Sequence, residues 1–425
     1  MTTETLRGRR DRALGPGAAL FYQTPLHIVR GEGAWLFDVD GRRYVDMYNN
    51  VPCVGHANPA VVEAMARQQA TLNVNSRYLH EGIVAFAERL TALHGDAIES
   101  VVFSCSGTEA IEIALRMARM ATGRMGLICT DATYHGNSEL VSGLTRVRHA
   151  QPEGEHVRAI PFPDLYRPLV DGLTESQLAD AYLDRLDRAI HSLEVEGGGL
   201  AALVVCPIFA NEGLPRAPAG FTARAVKRVR AAGGLVISDE VQAGYGRTGR
   251  WWGYQVAGFE PDIVVTGKPM GNGLPLAATA ASQSLVETFR GRTRYFNTFA
   301  SSPLQAAVGM AVLDEIEGRG LPDHALQLGG HLQAALTARM PRWPAMGEVR
   351  GEGLFIGVEM IKANGDADPL LAIDLANRLK DKGFLTSHAG ALANVLKIRP
   401  PLVFSQADAD AFLDAFDAVI TDLNG

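Results

Sequence analysis

Lys268 follows the apolar run Ile263-Val264-Val265 and opens the segment Lys268-Pro269-Met270-Gly271-Asn272-Gly273. A second apolar run, Leu235-Val236-Ile237, ends at Ser238-Asp239-Glu240. This pattern sets one amine and one carboxylate at the ends of two neighbouring predicted strands. An amine held in a protein can condense with an aldehyde as a Schiff base. A carboxylate beside a pyridine nitrogen keeps that ring protonated and able to accept electrons. Pyridoxal 5'-phosphate requires this pair of groups.

Two further segments could serve the same chemistry. Ser104-Cys105-Ser106-Gly107-Thr108 joins the run Val101-Val102-Phe103 to a predicted helix over 109–120. A small-residue turn at a helix N-terminus offers free backbone N–H groups and the positive end of the dipole to an anion. The same Ser-Gly-Thr is also an ordinary helix cap. Tyr134-His135-Gly136 follows the run Leu127-Ile128-Cys129. An aromatic there can stack on a cofactor ring or simply pack. Asp239 could cap a helix, and Lys268 could be a solvated strand-end charge. The four signals nevertheless occur in order at strand C-terminal ends, where open α/β sheets bind ligands. Two nucleotide readings fail. The Lys268 segment lacks the P-loop pattern, and no GxGxxG follows a first predicted strand.

The elements that must position these groups alternate from about residue 80 to 315. Strands are predicted at 101–103, 127–129, 201–206, 235–237, 263–265 and 277–281, and a helix at 221–232 stops at Gly233-Gly234. Repeated βα alternation predicts a mostly parallel sheet with helices on both faces. Upstream, 34–47 reads as a hairpin around Asp40-Gly41, and 59–71 as a helix with Pro59 in its first turn. Downstream, helices near 323–340, 370–382 and 407–422 and strands at 354–360 and 395–398 predict a smaller α+β part. The domain expectation is an arm with small strands over 1–50, a large α/β domain over 51–318 and a small domain over 319–425.

Composition narrows the class. The 425 residues are 47% hydrophobic and 20% charged, with a formal net charge of -7. No basic footprint for nucleic acid stands out. No apolar run approaches the roughly 20 residues of a membrane span. Arg7, Arg9, Arg10 and Arg12 lie in a polar N-terminal stretch, read as a solvated, frayed arm over 1–20. The four cysteines, Cys53, Cys105, Cys129 and Cys206, form no CxxC pair and are read as buried small hydrophobes in a reducing compartment. The expected location is cytoplasmic. The histidines show no metal-ligand spacing.

These motifs together resemble the class III aminotransferases of pyridoxal-phosphate fold type I, nearly end to end from Phe21 to about Leu423. The resemblance is carried by Ser-Gly-Thr-Glu-Ala (106–110), Tyr-His-Gly (134–136), Asp-Glu-Val-Gln-Ala-Gly-Tyr-Gly-Arg-Thr-Gly (239–249) and Gly-Lys-Pro-Met-Gly-Asn-Gly (267–273). Asn-Thr-Phe (297–299) and Ile-Arg-Pro-Pro-Leu (398–402) add to it. It implies that Lys268 holds the cofactor aldehyde and later moves the substrate proton, and that Asp239 pairs with the ring nitrogen. Gln242 would contact the ring hydroxyl side and Tyr134 would lie against the ring. Ser106, Gly107 and Thr108 would hold the phosphate. It also implies a homodimer in which Thr298 reaches the phosphate of the other subunit. Arg399 matches an arginine often used for a substrate carboxylate. The partners implied are a small-molecule amine and an oxo acid.

Within the family, Tyr48-Asn49-Asn50-Val51 and Asn75-Ser76-Arg77-Tyr78-Leu79-His80 resemble a branch that includes phospholyases acting on phosphoethanolamine and phosphohydroxylysine. Asn50 and Arg77 are then candidates to hold a substrate anion, and Phe21, Tyr22 and Phe209 to line the pocket. The first expectation is transamination of an ω-amine or amino acid, and the second is elimination of phosphate. The chain departs from the family pattern at Phe209 and Asn211, where Gln and Glu are common. It departs again at Ala300-Ser301-Ser302 and at Ala391-Leu392-Ala393. These changes bear on the substrate and leave the cofactor residues intact.

Overall fold

The computed structural model describes residues 3–147 and 154–424. Near the N-terminus lie β1 (Ile28–Glu32), β2 (Trp35–Asp38) and β3 (Arg43–Asp46). The central strands are β4 (Ser100–Ser104), β5 (Gly126–Thr130), β6 (Val157–Ile160), β7 (Leu200–Val205), β8 (Leu235–Asp239), β9 (Ile263–Thr266) and β10 (Ala277–Ala281). The C-terminal part contributes β11 (Met346–Glu352), β12 (Phe355–Met360), β13 (Phe384–Leu385), β14 (Ser387–Ala389) and β15 (Val395–Ile398).

The central sheet has seven strands in the order β4-β10-β9-β8-β7-β5-β6. The pairs β9–β8, β8–β7, β7–β5 and β5–β6 are parallel, and β10 runs antiparallel to both neighbours. The expected mostly parallel sheet is therefore present, with one reversed strand. Every residue of β7 (LAALVV) and of β9 (IVVT) is buried, as a strand covered on both faces must be. β10 is built of Ala with one Thr. Its short side chains let the helix Gly107–Thr122 lie close, and Thr279 Oγ1 donates to the Ala110 carbonyl at 2.7 Å.

The N-terminal hairpin is joined by β13, which pairs parallel to β3. The terminal part thus shares a sheet with the first, a link across the expected domain limits. The C-terminal sheet runs β11-β12-β15-β14. The expected frayed arm is instead helical over Thr3–Leu14, with no buried residue. Residues 1 and 2 of that stretch lie outside the described residues. The helix survives because its interior holds no Pro, has one Gly (Gly8), and sets Glu4 in its first turn and Arg12 in its last, each matched to the dipole.

Candidate active site

The sheet's C-terminal edge opens into a cavity of about 310 Å³. Its wall includes Ser106, Gly107, Thr108, Tyr134, Gln242, Asp239 and Lys268. Seven of the eight residues expected at the cofactor therefore meet in one place. The eighth, Thr298, lies on the exposed surface of the 297–299 turn, outside that wall.

Lys268 stands two residues past β9. Its side chain lines the cavity and is exposed to it. Among the described residues its amine has no hydrogen-bond or ion-pair partner. Burial, then the positive charge of Arg399, push its pKa below the ordinary lysine value, while Asp239 opposes them. A low pKa supplies the neutral amine that condensation and proton removal both need.

Asp239 is the last residue of β8 and is buried. One carboxylate oxygen takes the Val241 N–H at 3.0 Å and the other pairs with His135 Nδ1 at 2.7 Å. A carboxylate only accepts, so His135 Nδ1 carries the proton. His135 Nε2 then accepts from the Thr133 hydroxyl at 3.0 Å. His135 is part of the Tyr-His-Gly motif, but sequence reasoning assigned it no role. Its signal is its place beside Tyr134, in the loop that follows β5.

A candidate anion cradle follows from the capping of the helix Gly107–Thr122. Ser106 Oγ accepts from the Glu109 N–H, and the Glu109 carboxylate accepts from the N–H groups of Ser106 and Cys105. This capping box uses those three donors. The N–H groups of Gly107 and Thr108, which no earlier turn can satisfy, remain for an anion. Gly107 packs closely on the segment after β8, since a Cβ there would meet Val241 at 3.2 Å. Gly136, at φ +147°, brings the Tyr134 loop against the helix start, because a Cβ would sit 2.6 Å from Thr108 Oγ1.

A polar chain continues from this wall. Gln242 Nε2 donates to Asn211 Oδ1 at 3.3 Å, and Asn211 Nδ2 donates to the Tyr134 carbonyl at 3.4 Å. Arg399 Nη1 donates to Gln242 Oε1, and its Nε donates to the Tyr48 carbonyl at 2.9 Å. Arg399 is buried, and among the described residues no carboxylate lies within ion-pair distance of it. Asn211 stands where sequence comparison expected Glu, so this wall carries an amide in place of a charge.

The remaining candidates surround the cavity rather than line it. Tyr22 donates to the Thr386 carbonyl at 2.8 Å, and Phe21 packs edge-on against Tyr48 at 4.7 Å. Asn50 is buried with its Oδ1 unpaired, beside Val51 in the cavity wall. Arg77 is exposed and lies over the Phe296 ring at 4.2 Å, away from the cavity. Phe209 is buried core at φ 49°. Cys53, Cys129 and Cys206 are buried as expected, whereas Cys105 is half-buried in the cavity wall, and all four are free.

The fit to pyridoxal 5'-phosphate rests on these groups: an unpartnered amine, an oriented carboxylate and two spare N–H donors around one cavity. Comparison with known proteins agrees. A family model described as aminotransferase class III matches residues 19–420. A Drosophila melanogaster alanine–glyoxylate aminotransferase 2-like protein is 36% identical, covering 99% of this chain and 87% of its own length. A Caenorhabditis elegans ethanolamine-phosphate phospho-lyase homolog is 33% identical, covering 99% and 94%. A phospholyase from Arthrobacter, solved in complex with phosphoethanolamine, superposes with a TM-score of 0.95 at 41% identity, covering 98% of this chain and 99% of that one.

Proposed function

The chain belongs to the class III aminotransferase family, an enzyme family whose cofactor is pyridoxal 5'-phosphate, and from that premise we propose that it eliminates phosphate from a phosphoethanolamine-like amine. The observation that carries this reading is Arg399, a buried cation bonded only to neutral oxygens. A buried charge with no ion-pair partner is costly, and an anionic substrate reduces that cost. The likeness to the Arthrobacter phospholyase supports phosphate as the anion.

When bound, the cofactor supplies an aldehyde for the substrate amine and a ring that accepts electrons from the adjacent carbon. Lys268 holds the cofactor and, as a neutral amine, takes the proton from the carbon bearing the nitrogen at its Nζ. Asp239, oriented by His135, keeps the ring nitrogen protonated. The N–H groups of Gly107 and Thr108 hold the cofactor phosphate, and Tyr134 covers the ring. Arg399, with Tyr22 and Asn50 at the rim, receives the anionic end of the substrate. In the net reaction, phosphoethanolamine and water give acetaldehyde, ammonia and phosphate.

The working unit in this reading is a homodimer. Thr298 of one copy would reach the phosphate held by the other, and Arg77 would act at the same junction. The exposed side chains of Phe299, Tyr78 and Leu79, at 76%, 66% and 103% of full exposure, support a surface that another copy covers. The four free thiols support a reducing, cytoplasmic setting.

A second reading is transamination between an amine or amino acid and an oxo acid, favoured by the Drosophila relative. Dependence on the oxo acid separates the two. Elimination predicts steady turnover of phosphoethanolamine with none present. Turnover that stops after one equivalent and resumes on adding glyoxylate or pyruvate would replace it with transamination.

A further inference from the structure

Lys397 lies in β15, and Arg399 follows one residue past its end, two positions on and so toward the same face. Both approach the same ring, with Lys397 Nζ 5.5 Å and Arg399 Cζ 5.2 Å from the centroid of Phe355. Each residue is only 5% exposed, and Phe355 is fully buried against Cys206, which lines the cavity. Two basic side chains thus share one aromatic ring just behind the cavity wall.

Neither has an acid of its own: Asp46, whose charge acts on Arg399, is taken by His56 at 2.8 Å. Among the described residues no carboxylate lies within ion-pair distance of Lys397. From β12, Glu359 faces the same side, but it is taken by Arg350, Arg167 and Asn394. On β14, His388 pairs opposite Leu396 and so points to the other face. On the helix Pro369–Asp381, Lys380 is bound to Asp381 at 2.6 Å. The loop after β7 brings Cys206 and Glu212. Glu212 accepts from Thr130 at 2.5 Å, and burial drives it toward its neutral form. The loop after β9 brings Lys268, another base and no acid.

A guanidinium stays charged in such a place, but a lysine can shed its proton. Burial, Arg399 and Lys268 all push Lys397 well below the ordinary lysine range. An anion arriving in the cavity reverses this balance, because negative charge nearby raises the proton affinity of an amine. A dianion does so about twice as strongly as a monoanion at the same distance.

We infer that Lys397 is a specificity-determining residue: neutral while the cavity holds no anion, it takes a proton from solvent when a doubly charged group enters, and so favours dianions over monoanions. The inference rests on the reading that the cavity admits an anionic amine. It makes a phosphate monoester, dianionic near neutral pH, a better match than a carboxylate.

The test uses the cofactor-loaded enzyme with sulfate and methanesulfonate, two anions of similar shape that do not titrate near neutral pH. Calorimetry in buffers of different ionisation enthalpy gives the protons taken up. The cofactor's visible absorption is followed alongside, since a proton gained at Lys268 would shift that band. The wild type is expected to prefer sulfate and to take up about one proton with it, without a matching band shift. Lys397→Met should weaken sulfate binding by about ten- to thirtyfold, leave methanesulfonate nearly unchanged and abolish the uptake. Lys397→Arg, charged throughout, should keep sulfate affinity and lose the uptake. Wild-type binding of sulfate without proton uptake would overturn the inference, whether or not the Met variant folds. So would a folded Met variant that retained both the preference and the uptake. If phosphoethanolamine were not cleaved while these sulfate results held, only the phospholyase reading would fall.

Discussion

Removing the imidazole of His135 is the sharpest perturbation of the site that leaves every cofactor-contacting group in place. In the folded chain His135 Nδ1–H donates to Asp239 at 2.7 Å, and its side chain is fully buried. His135→Phe deletes this donor and leaves one oxygen of a buried carboxylate without its partner. A hydrogen bond to a charged group contributes about 1.5–3 kcal/mol. If that energy orients Asp239 in the transition state, kcat should fall by about ten- to a hundredfold. Thr133→Val removes only the hydroxyl that donates to His135 Nε2 at 3.0 Å. That neutral bond is worth about 0.5–1.5 kcal/mol, so a loss of about two- to tenfold is expected. The assay is steady-state turnover normalised to bound cofactor, with thermal unfolding measured beside it. Loss of stability with full kcat per bound cofactor would show that His135 only packs. Equal losses for the two variants would contradict the graded relay from Thr133 through His135 to Asp239.

Lys268→Ala is expected to abolish turnover and covalent retention of the cofactor, read by gel filtration and absorption; measurable turnover would remove the assigned role. Arg399→Met should raise KM for an anionic amine by at least about tenfold, because a charged hydrogen-bonding group is lost, while an uncharged amine should be affected far less; equal effects on both would contradict it. His94, stacked on Trp252 at 4.2 Å, is held neutral by burial, with its pKa lowered to about 3. The unfolded chain therefore binds more protons between about pH 6.5 and 3, so stability falls as pH drops through that window, by up to about 5 kcal/mol. His94→Phe should flatten this part of a Tm-versus-pH curve, and an unchanged curve would show that His94 does not set it.

Much of the cofactor site was legible because its chemistry is tied to strand ends. β7, β8 and β9 are short apolar runs, and Asp239 and Lys268 mark where two of them stop. The glycines of the cradle read equally well, since backbone must approach an anion there. Other features left weaker traces. The reversed direction of β10 depends on which neighbours it pairs with, and its AATAA sequence carries no sign of that. The 22-residue helix Glu175–Glu196 has no apolar run as plain as the strands', although Thr174 and Gln177 form a capping box at its start. The N-terminal helix was taken for an arm because its polarity suggested solvation, yet a polar stretch of good helix formers can still wind. Asn211, Lys397 and the partner of His135 are not legible in the sequence, because their roles arise from residues 31 to 104 positions apart or from the lack of an ion-pair partner. Arg77 and Thr298 were readable as motif residues, but a single folded chain leaves both outside the cavity wall.

The most direct test of the central claim is a single-turnover reaction of the cofactor-loaded enzyme with phosphoethanolamine and no oxo acid, following phosphate release and the cofactor spectrum together. The account predicts phosphate release at the rate of turnover, with the cofactor returning to its aldehyde form. Conversion of the cofactor to its aminated form without phosphate release would contradict it and leave transamination in its place.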